Sequence, residues 1–220
     1  MDAEGSWQVI RGQRRQLADL LEALPAHQWE QPSLCTGWRV RDVAAHVTMV
    51  ALPPSTPSLI MHGIRAKGNF HRLNHDIAVR HACRPTAQIV ADLRGHADSR
   101  KVPAVTNYRN VLFDILVHGQ DIAIPLGLEH PMPIDAATAG ATRVWSMGWP
   151  FWARRRLRAL RLSATDVDWS VGAGAEIRGP IEALLLLLTG RTTASLPRLS
   201  GEGAHHLAQA ASNRPTRRDA

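Results

Sequence analysis

Cysteine is scarce in this chain, and what there is forms no paired motif. Cys35 and Cys83 are the two cysteines among 220 residues. Neither belongs to a CxxC pair, which excludes a zinc knuckle or a thioredoxin-type redox motif. Long apolar runs are also missing. The most apolar stretch, Leu184–Leu188, is far short of the roughly 20 residues that a membrane span needs. The start MDAEGSWQVIRGQRRQ is polar and charged, with no apolar signal core. A cytoplasmic protein with no membrane partner is expected. Lysine is rare too, because the basic residues are nearly all Arg. Their excess over acids gives a net charge of +7, which invites a nucleic-acid reading. Yet the arginines fall in separate clusters at Arg11–Arg15, Arg154–Arg161 and Arg214–Arg218. No stripe interleaves them with aromatics and no nucleic-acid module signature matches, so no nucleic-acid partner is expected.

What is present is an ordinary globular composition, 45% hydrophobic and 20% charged, enough for a real core. Residues 7–24 carry a helical period through Trp7, Ile10, Leu17, Leu20, Leu21 and Leu24, which Pro25 stops. Thr36 reads as the N-cap of a second helix with Val40, Val43, Ala44, Val47 and Val50 on its apolar face. A weak helical pattern follows from Leu59 to about His81, then a helix opened by Pro85-Thr86, then a strongly apolar helix over 108–123 that ends at Pro125 and Gly127. Four principal helices with broken connections predict a bundle with at least one long crossover. A further helix is expected over 133–153, with Trp145, Trp149 and Trp152 near one face. Short alternating segments at Leu160–Ser163, Val167–Val171 and Ala175–Arg178 read as strands. Pro180 opens an apolar helix through Leu188, and a last helix runs from about Gly203 to Ala211. The expected fold is mainly α: a helical bundle over 1–150, a small α+β C-terminal domain over 151–213, and a flexible tail at 214–220.

The chemistry concentrates in Phe113-Asp114-Ile115-Leu116-Val117-His118-Gly119-Gln120-Asp121. On a helix, Asp114 and His118 stand one turn apart on one face, about 5–6 Å between Cβ atoms. Asp114 interrupts a run of large apolar residues, so its carboxylate must be paired, solvated in a cavity, or bound to a cation. By itself the pair is equally an Asp–His hydrogen bond within a core. His46 is a second lone ionisable group, set in the apolar stretch Val43-Ala44-Ala45-His46-Val47. Two bundle helices would then offer ligands of N, N and O type with a fourth position open, the donor set of a catalytic divalent ion.

Three stretches carry a family resemblance: PSLCTGWRVRDVAAHV at 32–47, VLFDILVHGQDIAIPLG at 111–127 and DWSVGAGAEIRGPIEALLLLLTGR at 168–191. The Gly-Trp-x-Val-x-Asp-x-x-x-His pattern of 37–46 and the HGQDI element of 118–122 are its most specific parts. Together they resemble the mycothiol-dependent maleylpyruvate isomerase family, within the DinB-like metal-binding superfamily. The resemblance implies a DinB-like four-helix bundle followed by the small C-terminal domain. It also implies a divalent metal, expected to be Zn2+, held by His46, Asp114 and His118. The enzyme that names the family has Glu at the acid position, where this chain has Asp114; the shorter carboxylate changes reach and denticity. Mycothiol is the implied cosubstrate, a small-molecule thiol that adds to an electrophilic substrate in an isomerase or an S-transferase. A metal-binding module without thiol chemistry and a metal-activated hydrolase stay open beside it, as do a monomer and a homodimer.

Several residues remain. Asp121 is expected to orient a ligand imidazole, or else to pair with an Arg at the helix end. Arg191 is the candidate catalytic group from the small domain, reaching for an anionic substrate; alternatively it complements the dipole at a helix C-terminus. Trp38 and Asp42 are assigned to packing and capping around the second helix. Cys35 lies before a helix N-terminus but has no base pattern tied to it, and is read as structural. Among His62, His71, His75 and His81, only His71 and His75 are spaced one helical turn apart, and the group is read as surface or crossover lining.

Overall fold

The structure, a computed structural model, describes residues 1–51, 70–102 and 106–212, with the backbone alone at 70–75 and 212. The chain divides into two compact units, Met1–Pro131 and Met132–Ala220.

In the first unit, helix α1 (Ala3–Glu22) starts earlier than its apolar period suggests. Asp2 caps it, accepting a hydrogen bond from the Gly5 N–H at 2.8 Å. Ile10, Leu17, Ala18 and Leu21 form its fully buried stripe. A short helix α2 (Ala26–Trp29) follows Pro25. Helix α3 (Val40–Ala51) is not capped by Thr36, as the sequence suggested. Asp42 does that work from within the first turn, accepting the Arg39 N–H at 2.8 Å and the Arg39 guanidinium at 2.9 and 3.0 Å. A reach back from the third helical position satisfies the N–H of the capping residue, the reciprocal half of a capping box.

Helices α4 (Phe70–Ala82) and α5 (Thr86–Gly95) follow, and His62 lies outside the described residues. Helix α6 (Tyr108–Leu126) is capped by Asn107, whose side-chain oxygen accepts from the N–H groups of Arg109 and Asn110. It stops at Gly127, whose φ of 66° lies in the left-handed region that glycine enters without strain. Helix α1 packs on α5 and α6, and α3 packs on α4, α5 and α6. The mainly α class and the bundle are as expected.

In the second unit, helix α7 (Ile134–Ser146) ends well short of residue 153. Met147 is extended, and Gly148 and Pro150 follow, so the backbone cannot continue helical. Trp149 and Trp152 therefore lie outside it, 51% and 53% exposed. The domain boundary moves with this helix. Expected after residue 150, it falls between Pro131 and Met132. The reason is packing: the small buried face of α7, made by Ala136, Ala137, Gly140, Ala141 and Val144, lies against helix α9 (Ile181–Leu188). Small side chains let the backbones approach, so α9 can be buried at every position but Glu182.

Between them come α8 (Ala153–Arg156) and strands β1 (Leu160–Ala164), β2 (Ser170–Gly172) and β3 (Ala175–Gly179). The sheet order is β2-β1-β3, with Leu162 opposite Val171 in the antiparallel pair and opposite Ile177 in the parallel one. Leu162 and Ile177 are fully buried on one face. Helices α10 (Thr192–Ser195) and α11 (Glu202–Ser212) complete the unit, and residues 213–220, which hold the expected tail, lie outside the description. Among the described residues, no helix is long and apolar enough to cross a membrane.

Candidate metal centre

Helices α3 and α6 pack on one another, and each carries an ionisable group into an otherwise apolar interior. Around His46, the neighbours Val43, Ala44, Ala45 and Val47 are buried. On α6, Asp114 and His118 project one turn apart from a helix whose Leu112, Ile115 and Leu116 are buried. The sequence reading placed these three side chains together, and the structure does so. The His118 Nε2 atom lies 3.4 Å from Asp114 Oδ1, and His46 Nε2 lies 3.9 Å from the same oxygen. The two imidazole rings meet edge to face, with centroids 4.8 Å apart. Trp38 abuts the other side of His46 at 5.4 Å, so it packs against the site itself.

These separations are informative. A direct N–H···O bond spans about 2.7–3.2 Å. A tetrahedral ion bound at about 2.0–2.2 Å holds its N and O donors about 3.3–3.6 Å apart. The His118–Asp114 distance falls inside that second range, and the His46–Asp114 distance needs only a small closure. All three donor atoms lie within 4.8 Å of one another. The imidazoles are 11% and 13% exposed while the Asp114 side chain is 27% exposed, so the carboxylate side is the open one.

The electrostatics follow from this packing. Burial would raise the Asp114 carboxyl, but the facing His118 charge, with the His46 imidazole beside it, outweighs burial and holds Asp114 well below the usual carboxylate range. Burial would likewise lower His118. The Asp114 charge, with the Asp121 carboxylate accepting from Nδ1 and the Cys35 thiol close by, instead raises it well above the ordinary imidazole value. Both shifts favour an ionised carboxylate beside a protonated imidazole.

Asp121 is fully buried, and its Oδ2 atom accepts from His118 Nδ1 at 2.8 Å. An ionised carboxylate only accepts, so Nδ1 carries a proton and Nε2 is the nitrogen that faces Asp114. The partner-to-ligand role expected of Asp121 thus has its geometry. His46 differs: its Nδ1 is buried with no hydrogen-bond partner.

Cys35, read from the sequence as structural, reaches this centre. Its thiol donates to Asp121 Oδ2 at 3.1 Å and lies 3.8 Å from His118 Nδ1. The acid it meets is 86 positions away in sequence, beyond the reach of any local spacing argument. Gly119 also has an unforeseen role, since a Cβ there would collide with the His130 ring. Gln120 fastens the same segment by donating its amide to the His130 carbonyl, and burial lowers the His130 imidazole.

The side chains of His71 and His75 lie outside the described residues, and His81 joins no donor cluster among those described. Arg191 belongs to the second unit, where its Nη1 donates to the Thr189 carbonyl at 2.9 Å, just past the end of α9. That contact matches the helix-terminus alternative.

A family model, the mycothiol maleylpyruvate isomerase N-terminal domain, matches residues 10–123. The chain belongs to this family. The matched span holds Cys35, His46, Asp114, His118 and Asp121. The fold agrees beyond that span. A crystal structure of a histidine-to-alanine mutant of the mycothiol-dependent maleylpyruvate isomerase superposes with a TM-score of 0.64 at 13% identity, covering 93% of this chain and 94% of the other. A second crystal structure of that isomerase gives 0.60 at 12% identity, with the same coverage. No curated protein sequence matches the chain significantly.

Proposed function

We propose that the protein is a metal-dependent enzyme that uses a small-molecule thiol, mycothiol, as nucleophile for isomerisation or S-transfer on an electrophilic substrate. The observation that carries this reading is the convergence of His46 Nε2 and His118 Nε2 on one oxygen of Asp114, inside the domain that defines the family. The donor set fits a divalent ion of the zinc type: two imidazoles and a carboxylate, spaced wider than hydrogen bonds, with a fourth position open. A divalent ion there supplies Lewis acidity, which makes a thiol acidic enough to act as a thiolate at neutral pH.

The chain's own residues do the rest. Asp121 keeps the His118 proton on Nδ1, so that Nε2 stays a donor atom. The buried neighbours of α3 exclude water on the His46 side, and Trp38 blocks that imidazole from turning away. The more exposed face of Asp114 is where a cosubstrate enters. Isomerisation and S-transfer share the addition step and differ in whether the thiol leaves again.

The test is spectroscopic. Mycothiol added to cobalt-substituted protein should create a sulfur-to-cobalt charge-transfer band that persists at neutral pH, and His118→Ala should abolish it. No band in fully loaded protein with excess thiol sinks the thiol reading and leaves a metal site that activates water or serves binding alone.

A further inference from the structure

The loop between α2 and α3 is built more tightly than a connection requires. The Ser33 N–H and hydroxyl both donate to the Trp38 carbonyl at 2.9 Å. The Trp38 N–H donates back to the Cys35 carbonyl at 2.9 Å, and the Cys35 N–H donates to the Ser33 hydroxyl at 3.1 Å. Gly37, at a φ of 77°, supplies the left-handed turn that closes this ring. The Leu34 N–H donates to the Asp121 backbone carbonyl at 3.1 Å, which ties the loop to α6. The side chains of Cys35 and Trp38 that result both touch the candidate ligands or their partners.

We propose that Cys35 is a positioning residue of the metal centre, whose thiol holds the buried Asp121 carboxylate that orients His118. The inference rests on the proposed metal reading. The Cys35 thiol and His118 Nδ1 donate to the same oxygen, Asp121 Oδ2, at 3.1 and 2.8 Å. With both donors on one oxygen, the carboxylate cannot turn without losing both bonds. Asp121 is 0% exposed, so water does not replace a lost donor. Removing the thiol takes one donor from the oxygen that holds His118 Nδ1, and the His118 ring follows any shift of that oxygen. A serine keeps the donor, while alanine and valine do not.

Cobalt binding to the full chain tests this, read as dissociation constant and visible band positions for wild type, Cys35→Ala, Cys35→Val and Cys35→Ser. Cys35→Ala and Cys35→Val should bind about tenfold more weakly with shifted bands, and Cys35→Ser should recover to within about threefold of wild type, as outer-sphere partners of a ligand histidine do. Valine fills space without donating, so a defect it repairs is one of packing and overturns the proposal. Wild-type affinity and bands in Cys35→Ala overturn it as well. So does a sulfur-to-cobalt band with no added thiol, which would make Cys35 a ligand. Wild-type protein that takes up no cobalt overturns the metal reading and this inference together; normal wild-type uptake with indifferent Cys35 variants overturns this inference alone.

Discussion

His118 Nδ1 donates to Asp121 Oδ2 at 2.8 Å, and this bond decides which nitrogen of the imidazole looks toward Asp114. Because Asp121 is buried and only accepts, the Nδ1 proton is held from behind, and Nε2 is the nitrogen left to give up its proton to an ion. Asp121→Ala should therefore keep a metal site yet weaken it by about 10–100-fold. Competition against a chelator of known affinity measures this. An unchanged affinity would show that the tautomer is set by something else.

The three converging side chains should carry the ion between them. Purified protein should contain close to one divalent ion per chain. His46→Ala, Asp114→Ala and His118→Ala should each lose most of it, because two remaining ligands do not make a site. Elemental analysis of the four proteins decides the matter, and full metal content in all three variants would refute the assignment.

Asp114→Glu should retain metal and change activity. The longer side chain restores the acid found at this position in the isomerase that the motif resembles, but it brings the oxygen to the ion with a different reach. Loss of all metal from this variant would mean that the pocket is fitted to Asp alone.

Metal uptake should release a proton. In metal-free protein the Asp114 charge and the hydrogen bonds of Asp121 and Cys35 overcome burial and keep His118 protonated above its ordinary range. An ion needs the Nε2 lone pair, so metal and proton compete. The sign is then set: affinity falls as pH falls, by about tenfold per unit while one proton is displaced. Calorimetry in buffers of different ionisation enthalpy counts the proton, and a count of zero at neutral pH would contradict the raised His118 value.

Gly119→Ala should destabilise the protein although alanine is the better helix former by about 1 kcal/mol. The new Cβ collides with the His130 ring, and overpacking of this kind costs about 1–3 kcal/mol. Thermal melts of Gly119→Ala, His130→Ala and the double variant test it. The glycine substitution should be harmless once His130 is gone, and equal loss in both backgrounds would place the clash elsewhere.

The sequence by itself determined the main described helices of the bundle, strands β1 and β3, and the face of α6 that carries Asp114 and His118, while β2 starts three residues later than the expected Val167. These are local matters: a 3.6-residue or two-residue period, a proline stop, a glycine in the left-handed region, two polar side chains one turn apart. His46 was legible for the same reason, as an ionisable group on an apolar helical face, though its pairing with Asp114 needed the family pattern. Where local signals were weak, the reading slipped. Thr36 looked like a cap because caps are read one residue at a time, whereas Asp42 reaches back from inside the helix. The helix drawn to residue 153 overlooked what Gly148 and Pro150 do to a backbone, and the boundary at 150 overlooked that α7 needs α9 to cover its small face. Only the tertiary structure decided the contacts of Cys35, Gly119 and His130. Each depends on a contact between chain segments or on the direction of a side chain, and a hydrogen bond spanning 86 positions leaves no period behind it. Packing brings such groups together, and it is there that a buried carboxylate finds the donors it needs.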